Sequence, residues 1–102
     1  MNQITVSDNP AAQRYEAVMD GEVAAFADYE VQAAAVLFPH TEVLPRFEGK
    51  GVASKLATFA LADVRAKGLQ VIPACEFIAG YIRKHPEYLD LVSGESRETY
   101  KL

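Results

Sequence analysis

The chain has 102 residues, of which half are hydrophobic and 24% are charged, a composition typical of one globular domain with a modest core. Its formal net charge of −4 argues against a dedicated nucleic-acid binder, because such proteins need a basic surface to neutralise phosphates. The longest apolar runs fall far short of the roughly 20 residues that a membrane span needs, so we expect no membrane partner. The first residues lack a basic segment followed by an apolar block, and we expect no secretory signal.

Cys75 is the single cysteine of the chain, which excludes an internal disulfide and fits a reducing compartment. We therefore predict a cytoplasmic protein. No cluster of cysteine and histidine has the spacing of a zinc site, so the sequence predicts no bound metal.

The first predicted elements are antiparallel strands. The stretch ITVSDNP is a short β-prone segment that ends in a turn signal at its proline. QRYEAVM and EVAAFADYEV flank Asp20-Gly21, a dipeptide that favours a β-hairpin. AAAVLFPHTEVL predicts a largely apolar and therefore central strand, in which Pro39 should break a ladder bond or mark a bulge or splay.

The pattern changes to a helical period after Gly49. Apolar residues recur at three- and four-residue spacing from Val52 to Val64, and Gly68 is a suitable helix end. LQVIPAC predicts a short buried strand, EFIAGYIRKH a second helix that Pro86 ends, and residues 93–102 a loosely held tail. The order predicts one α+β domain over residues 1–102. In it, antiparallel strands lead into a β-α-β-α unit with a mixed central sheet and a right-handed crossover.

Charge is unevenly distributed along the chain. Residues 1–45 hold one arginine against seven acidic residues, a net charge of −6, whereas residues 46–67 have a net charge of +3. Residues 68–102 have a net charge of −1. The one basic segment of an acidic protein therefore begins with RFEGKG, which favours a small anionic ligand over a polyanion.

Two common phosphate-binding motifs do not match this segment. A P-loop needs a glycine where Leu44 stands and a serine or threonine where Gly51 follows Lys50. A dinucleotide fingerprint would use Gly49 and Gly51 but would have Ser54 in place of its third glycine. The remaining alternatives are a plain glycine turn before a helix and a different kind of phosphate loop.

Arg46-x-x-Gly49-x-Gly51 resembles the [Q/R]-x-x-G-x-[G/A] loop of the GNAT superfamily of acyl-CoA-dependent N-acyltransferases. The loop also lies where that fold has it, between a central strand and the long helix. Glycines let backbone N–H groups approach a diphosphate, and a helix N-terminus adds a partial positive charge. The resemblance implies that the loop and the first helical residues hold the CoA diphosphate, at positions Arg46, Gly49, Lys50, Gly51, Val52 and Ala53.

The resemblance extends over about residues 12 to 92. HTEV, GKGVASKL, GLQVIPAC and YIRKHPEY are similar in order and spacing to small single-domain GNAT-like proteins, so a shortened acyl-CoA N-acyltransferase fold is expected. The resemblance also implies that the backbone of Val43 and Leu44 pairs with the pantetheine arm of CoA like an added strand. The chain has no room for the helix pair that usually follows the first strand and lines the acceptor site. The resemblance therefore does not indicate which residues form the acceptor site.

His40 and Glu42 are candidates for the general base. They lie two residues apart on the predicted central strand, so their side chains share one face of the sheet. A histidine titrates near neutral pH without help, whereas a glutamate needs burial to do so. The alternative is that His40 is a hydrogen-bonded strand residue with a structural role.

Tyr81 and Cys75 are the other candidate catalytic residues. In the wider superfamily a tyrosine on the second helix often protonates the CoA sulfur, and Tyr81 lies on this helix; alternatively its ring covers the core. Cys75 precedes the same helix, whose dipole lowers the pKa of a thiol, although Glu76 opposes this effect. The small GNAT-like proteins have a cysteine here, which implies an acyl-cysteine or a thiol near the CoA sulfur, unless Cys75 is merely a small buried side chain.

The resemblance implies an acetyl-CoA-dependent N-acetyltransferase that takes acetyl-CoA as co-substrate and a small-molecule or peptide amine as acceptor. An acidic first half favours a cationic amine. The alternative is a CoA- or acyl-CoA-binding module or sensor without turnover, because cofactor capture needs only the strand, loop and helix. A third alternative is an interaction protein with a vestigial loop. A small sheet with one face not covered by helices could also pair with a second copy of the chain, so a homodimer is a further prediction.

Overall fold

Residues 3–102 are described by a computed structural model, in which a five-stranded sheet packs against a long helix. The strands are β1 Ile4–Asn9, β2 Arg14–Met19, β3 Glu22–Gln32, β4 Ala35–Val43 and β5 Gln70–Ile72; the helices are α1 Val52–Ala66, α2 Glu76–Lys84 and α3 Gly94–Thr99. The strands run in the order β1-β2-β3-β4-β5 and are antiparallel except for the last pair, β4 and β5, which is parallel. Helix α1 contacts all five strands, and α2 contacts α1 and β4. This arrangement confirms the predicted α+β fold with a mixed sheet.

The hairpin between β2 and β3 forms at Asp20-Gly21, as the sequence predicts. Gly21 has a φ of +78°, a left-handed conformation that glycine adopts without steric cost. By contrast, β1 and β2 are joined only by the 3-10 turn Pro10–Ala12, which Asn9 caps by accepting a hydrogen bond from the Ala12 N–H. The helix pair that would follow the first strand in a larger relative is therefore replaced by a single tight turn.

The predicted irregularity at Pro39 is a β-bulge on β4. Asp28 of β3 pairs with His40 and Glu30 pairs with Leu37, so two residues of β4, Phe38 and Pro39, oppose one residue of β3. Proline has no N–H to donate to the ladder, which explains the bulge at this place.

β4 and β5 separate just beyond the bulge. Their parallel pairing covers only Ala35–Leu37 against Gln70–Ile72. The last link is a hydrogen bond of 2.8 Å from the Cys75 N–H to the Phe38 carbonyl. Beyond this link β4 has no described partner on its β5 side, because β5 ends at Ile72, and we call this open edge of β4 the gap. It lies where the sequence predicts a splay.

The core lies between α1 and the sheet. The helix buries the face that the periodicity predicts, and Gly68 ends it with a φ of +71°. Phe59 lies within the apolar repeat of this helix but is not buried: it remains 38% exposed and packs edge-on against the Tyr15 ring. The fully buried large side chains come from both layers and include Tyr15, Phe38, Leu56, Leu61, Val64, Ile78 and Ile82. None of the helices in residues 3–102 is both long and apolar enough to cross a membrane.

The tail that we predicted to be loosely held is instead folded back onto the domain. Ser93 caps α3 by accepting a hydrogen bond from the Ser96 N–H. Arg97 donates to the carbonyls of Val92 and Leu89, and Arg83 of α2 donates to the carbonyls of Tyr100 and Lys101. Two arginines thus supply the contacts that the polar composition of the tail did not indicate.

A polar network joins the far end of α1 to the first strands. The Asp63 carboxylate accepts hydrogen bonds from the Tyr15 hydroxyl at 2.7 Å and from Lys67 at 2.8 Å, and Lys67 also reaches Asp8. Burial alone would raise the pKa of Asp63, but the hydrogen bonds from Lys67 and Tyr15 outweigh it and hold this pKa below its usual value. Burial and a hydrogen bond to Asp8 raise the pKa of Tyr29 to about 12. The network therefore contains two carboxylates, a lysine and two neutral tyrosines at neutral pH.

Asp63→Asn is expected to lower the free energy of unfolding by about 1 kcal/mol at neutral pH, because the charged partner of Lys67 and Tyr15 is lost. The folded pKa of Asp63 is depressed, so its contribution is present above the unfolded pKa of about 4 and is lost as pH falls through the folded pKa. Urea unfolding of both proteins between neutral and acidic pH measures this difference, which should shrink on acidification. The control is Asp90→Asn at the exposed Arg65 pair, expected to cost less; a difference that persists at low pH would contradict this role of Asp63.

Candidate active site

The loop between β4 and α1 combines a buried anchor with two glycines. After the 3-10 turn Pro45–Phe47, the Phe47 side chain enters the core and is only 5% exposed. Gly49 and Gly51 follow with φ values of +76° and +78°, in the left-handed region that costs other residues free energy. A Cβ atom built on either glycine meets no atom within 4 Å, so both backbones border open space. The glycines are therefore required by the turn, and they leave its outer side accessible.

A cleft of about 270 Å³ lies between this loop, the start of α1 and the end of β4. Gly51 is the N-cap of α1, and no side chain among residues 3–102 caps the helix there. A helix leaves its first N–H groups without partners in its own backbone, and those of α1 border this cleft, which makes it a site for an anion. We call it the glycine cleft; it is lined by Val43, Phe47, Glu48, Gly49, Gly51, Val52, Ala53 and Ser54. This is the place where the sequence predicts the diphosphate of CoA.

Arg46 and Lys50 lie on the other side of the loop. The Arg46 guanidinium forms an ion pair with Glu22 at the start of β3 and stacks over the Phe47 ring at 4.9 Å. Both basic residues line a second cleft, which we call the hairpin cleft; its other residues are Asp20, Glu22 and Phe47. Of the residues described along the glycine cleft, only Glu48 carries a charge. The predicted contact of Arg46 and Lys50 with a diphosphate thus requires their side chains to move, and it stays a prediction.

The end of β4 borders the gap, the open edge that β5 does not cover. The Leu44 N–H donates to the Ala24 carbonyl at 2.9 Å, so this group is already paired with β3. Successive residues of a strand direct their backbone groups to opposite sides, so the backbone of Val43 faces away from β3 and towards the gap. Of the two residues predicted to pair with pantetheine, Val43 is therefore the one whose backbone groups face the gap.

His40 and Glu42 share one face of β4, as the period of the strand predicts. The His40 Nε2 atom lies 3.2 Å from Glu42 Oε1, and both side chains are about half exposed. The register places them opposite Asp28 and Phe26 of β3. Thr41 and Val43, which alternate with this pair, lie on the helix side of the sheet and contact Cys75 and the glycine cleft. The His40–Glu42 pair therefore lies on the face of β4 opposite the helices.

Cys75 lies where β4 and β5 separate. Its Sγ atom is 3.2 Å from Thr41 Oγ1, and its N–H is held by the Phe38 carbonyl. It is the N-cap of α2 and is partly buried. The next residue, Glu76, is hydrogen-bonded to Arg83, which lowers the pKa of the Glu76 carboxyl. The Glu76 carboxylate is therefore paired with Arg83 on the exposed side of α2.

Tyr81 borders a groove of about 300 Å³ along α2. Its hydroxyl is 2.5 Å from Thr58 Oγ1 of α1, and its ring stacks on His85 at 4.0 Å. Ser54 lines both this groove and the glycine cleft, so the two are adjacent. The hydroxyl thus lies between the helices.

Thr41 and Thr58 contact two of the predicted catalytic residues, and the sequence did not indicate either contact. Each touches a predicted catalytic residue through its hydroxyl, Thr41 the Cys75 thiol and Thr58 the Tyr81 phenol. A threonine in a strand or helix carries no local signal of such a contact, because its partner lies on a different element. Within the described residues, no group of three or more potential ligand side chains is placed to hold a metal ion.

A family model described as GCN5-related N-acetyl-transferase matches residues 14–91, from the start of β2 to the end of the 3-10 turn that follows α2. The chain belongs to the GCN5-related N-acetyltransferase family. The NMR solution structure of a GCN5-like protein from Staphylococcus aureus superposes with a TM-score of 0.69 at 22% identity, covering 92% of each chain. This likeness shows the fold of the family, and a search of curated proteins finds no match. The predicted superfamily and shortened fold are thus confirmed.

Proposed function

We propose that the chain is an acetyl-CoA-dependent N-acetyltransferase that acts on an amine. The observation that supports this most is the juxtaposition of two features of the fold. The uncapped start of α1 borders open space at Gly49 and Gly51, and the end of β4, which is no longer paired with β5, lines the same cleft. An elongated ligand with a diphosphate at one end and a thioester at the other fits a site built in this order.

The backbone holds the ligand in this proposal. The N–H groups from Gly51 to Ser54 bind the diphosphate, and the Val43 backbone pairs with the pantetheine amides in the gap. Bound acetyl-CoA supplies an acetyl thioester at the point where the strands separate. Cys75 lies at this point, and its partly buried thiol contacts Thr41, so it borders the place of the reacting carbonyl.

In this proposal, side chains accept the proton of the amine and donate a proton to the CoA sulfur. His40 takes the proton of the attacking amine, and Glu42, 3.2 Å away, orients the imidazole. The Tyr81 hydroxyl provides a proton for the departing sulfur through the groove beside α1. An acceptor approaches the half-exposed His40 from the face of the sheet opposite the helices. The acceptor is a small-molecule or peptide amine, and a cytoplasmic location and a homodimer stay predictions.

A second candidate function is a CoA- or acyl-CoA-binding module without turnover. It is favoured by the connection between β1 and β2, a single 3-10 turn with no helix to form an acceptor wall. The glycine cleft and the gap between the strands suffice for capture of the cofactor, since neither depends on that wall.

Thermal unfolding with CoA, acetyl-CoA and pantetheine tests the proposal. A specific ligand raises the melting temperature, and CoA should do so more than pantetheine, which lacks the diphosphate. Release of free CoA from acetyl-CoA in the presence of a panel of amines and peptides then tests turnover. Stabilisation by CoA without amine-dependent release would favour the binding module, and no stabilisation by CoA would overturn both.

A further inference from the structure

The observation that carries a further inference is the position of Arg46. This residue is the first of the loop motif, yet its guanidinium is paired with Glu22 and lies in the hairpin cleft. Of the residues that line the two clefts, Phe47 alone belongs to both. Arg46 in this conformation therefore does not line the glycine cleft.

We propose that Glu22 is a latch that competes with the diphosphate of CoA for Arg46. The proposal rests on the proposed function, because it assigns the glycine cleft to CoA. In the free protein Arg46 pairs with Glu22 and covers Phe47. In the complex the guanidinium leaves Glu22 and binds the diphosphate, for which its planar set of donors is well suited.

The exposure of the pair makes this exchange accessible. The side chains of Arg46 and Glu22 are 61% and 55% exposed, so neither is held by the core. Arg46 and Glu22 line the hairpin cleft, and neither lines the glycine cleft, so the guanidinium has to leave Glu22 to contact a ligand bound there. Binding of CoA therefore includes the loss of the Glu22–Arg46 pair, which lowers the affinity of the parent chain.

Glu22→Gln is expected to strengthen CoA binding. Exposed ion pairs contribute little, so the dissociation constant measured by calorimetry should fall by about two- to fivefold. The substitution lies at the first, exposed residue of β3 and leaves the hairpin turn unchanged. Circular dichroism and the melting temperature of the free variant verify that it folds.

Asp20→Asn is the matched control. Asp20 lines the same hairpin cleft and its replacement removes the same charge, but the Arg46 ion pair is made with Glu22. Asparagine also tolerates the left-handed backbone of this residue, whose φ is +55°. If the effect arises from the latch and not from the general field, Asp20→Asn should change CoA affinity much less than Glu22→Gln.

A double substitution isolates the latch. Arg46→Gln keeps a residue that the motif allows, and this variant should bind CoA more weakly than the parent. Adding Glu22→Gln to it should not strengthen CoA binding, because no arginine is left to release. The Arg46 Nε–Hε NMR signal provides a second measurement. Glu22→Gln should shift this signal in the free protein and leave it unchanged in the CoA complex.

Two outcomes overturn the latch, and they differ from failure of the proposed function. The latch is rejected, with CoA binding intact, if Glu22→Gln and Asp20→Asn raise CoA affinity equally. It is also rejected if Glu22→Gln still raises CoA affinity in the Arg46→Gln background. A parent chain that does not bind CoA would reject the proposed function and the latch together.

Discussion

Gly51→Glu is expected to lower the affinity for CoA by more than about tenfold, or about 1.4 kcal/mol. The added side chain starts from a backbone with a φ of +78° and points into open space beside the start of α1. Its carboxylate can accept the hydrogen bonds of the first N–H groups and so occupies the place of the diphosphate, which it also repels. Calorimetry with CoA measures the loss.

Gly68→Glu is the matched control for this substitution. Gly68 has a φ of +71°, also borders open space and lies at the opposite end of α1. Both variants therefore carry the same added charge and a similar backbone strain of about 1–2 kcal/mol. Gly68→Glu should lower the melting temperature and leave CoA affinity near that of the parent. If Gly51→Glu binds CoA as well as Gly68→Glu does, the assignment of the glycine cleft is wrong.

Local signals in the sequence were sufficient for most of the fold. Asp20-Gly21 predicts the hairpin because few other dipeptides adopt its turn, and the structure has the turn there. Pro39 predicts the bulge because it cannot donate to the ladder. The three- and four-residue period of α1 predicts its buried face. Each of these features depends on a few neighbouring residues, which a sequence displays directly.

The tail shows where local signals fail. Its polar composition indicates a loose segment, but Arg83 of α2 holds the backbone of Tyr100 and Lys101. Arg83 lies on another element, and an arginine at the end of a helix commonly binds the terminal carbonyls of its own helix. Part of what holds the tail is thus a contact between elements that no pattern in the tail reveals.

The site divides in the same way. The shared face of His40 and Glu42 follows from the period of two along a strand, and the open backbone at Gly49 and Gly51 follows from residue type. The direction of the Arg46 side chain does not follow from the loop, because its partner Glu22 belongs to a different strand. Sequence patterns therefore predicted the backbone part of the candidate site better than the placement of its charges.

His40→Asn is expected to lower turnover by about a hundredfold without changing CoA affinity. A positioned base contributes about 10²- to 10⁴-fold to the rate of a proton transfer, and asparagine keeps a polar side chain of smaller size without the basic nitrogen. Glu42→Gln should lower turnover less, because Glu42 only orients the imidazole across 3.2 Å. Steady-state assays with an amine identified by the CoA-release panel measure kcat, and calorimetry measures CoA binding.

Cys75→Ala separates direct attack by the amine from transfer through the thiol. If the amine attacks the thioester directly, the variant keeps most of its turnover, because it loses only the contact with Thr41. Transfer through the thiol would require the acetyl group to move to Cys75 Sγ with release of CoA, and then to the amine. Intact-protein mass spectrometry after acetyl-CoA alone would detect that added acetyl group. An inactive Cys75→Ala variant and an acetylated parent, together with an active His40→Asn variant, would move the chemistry from the exposed face of β4 to the helix side of the gap.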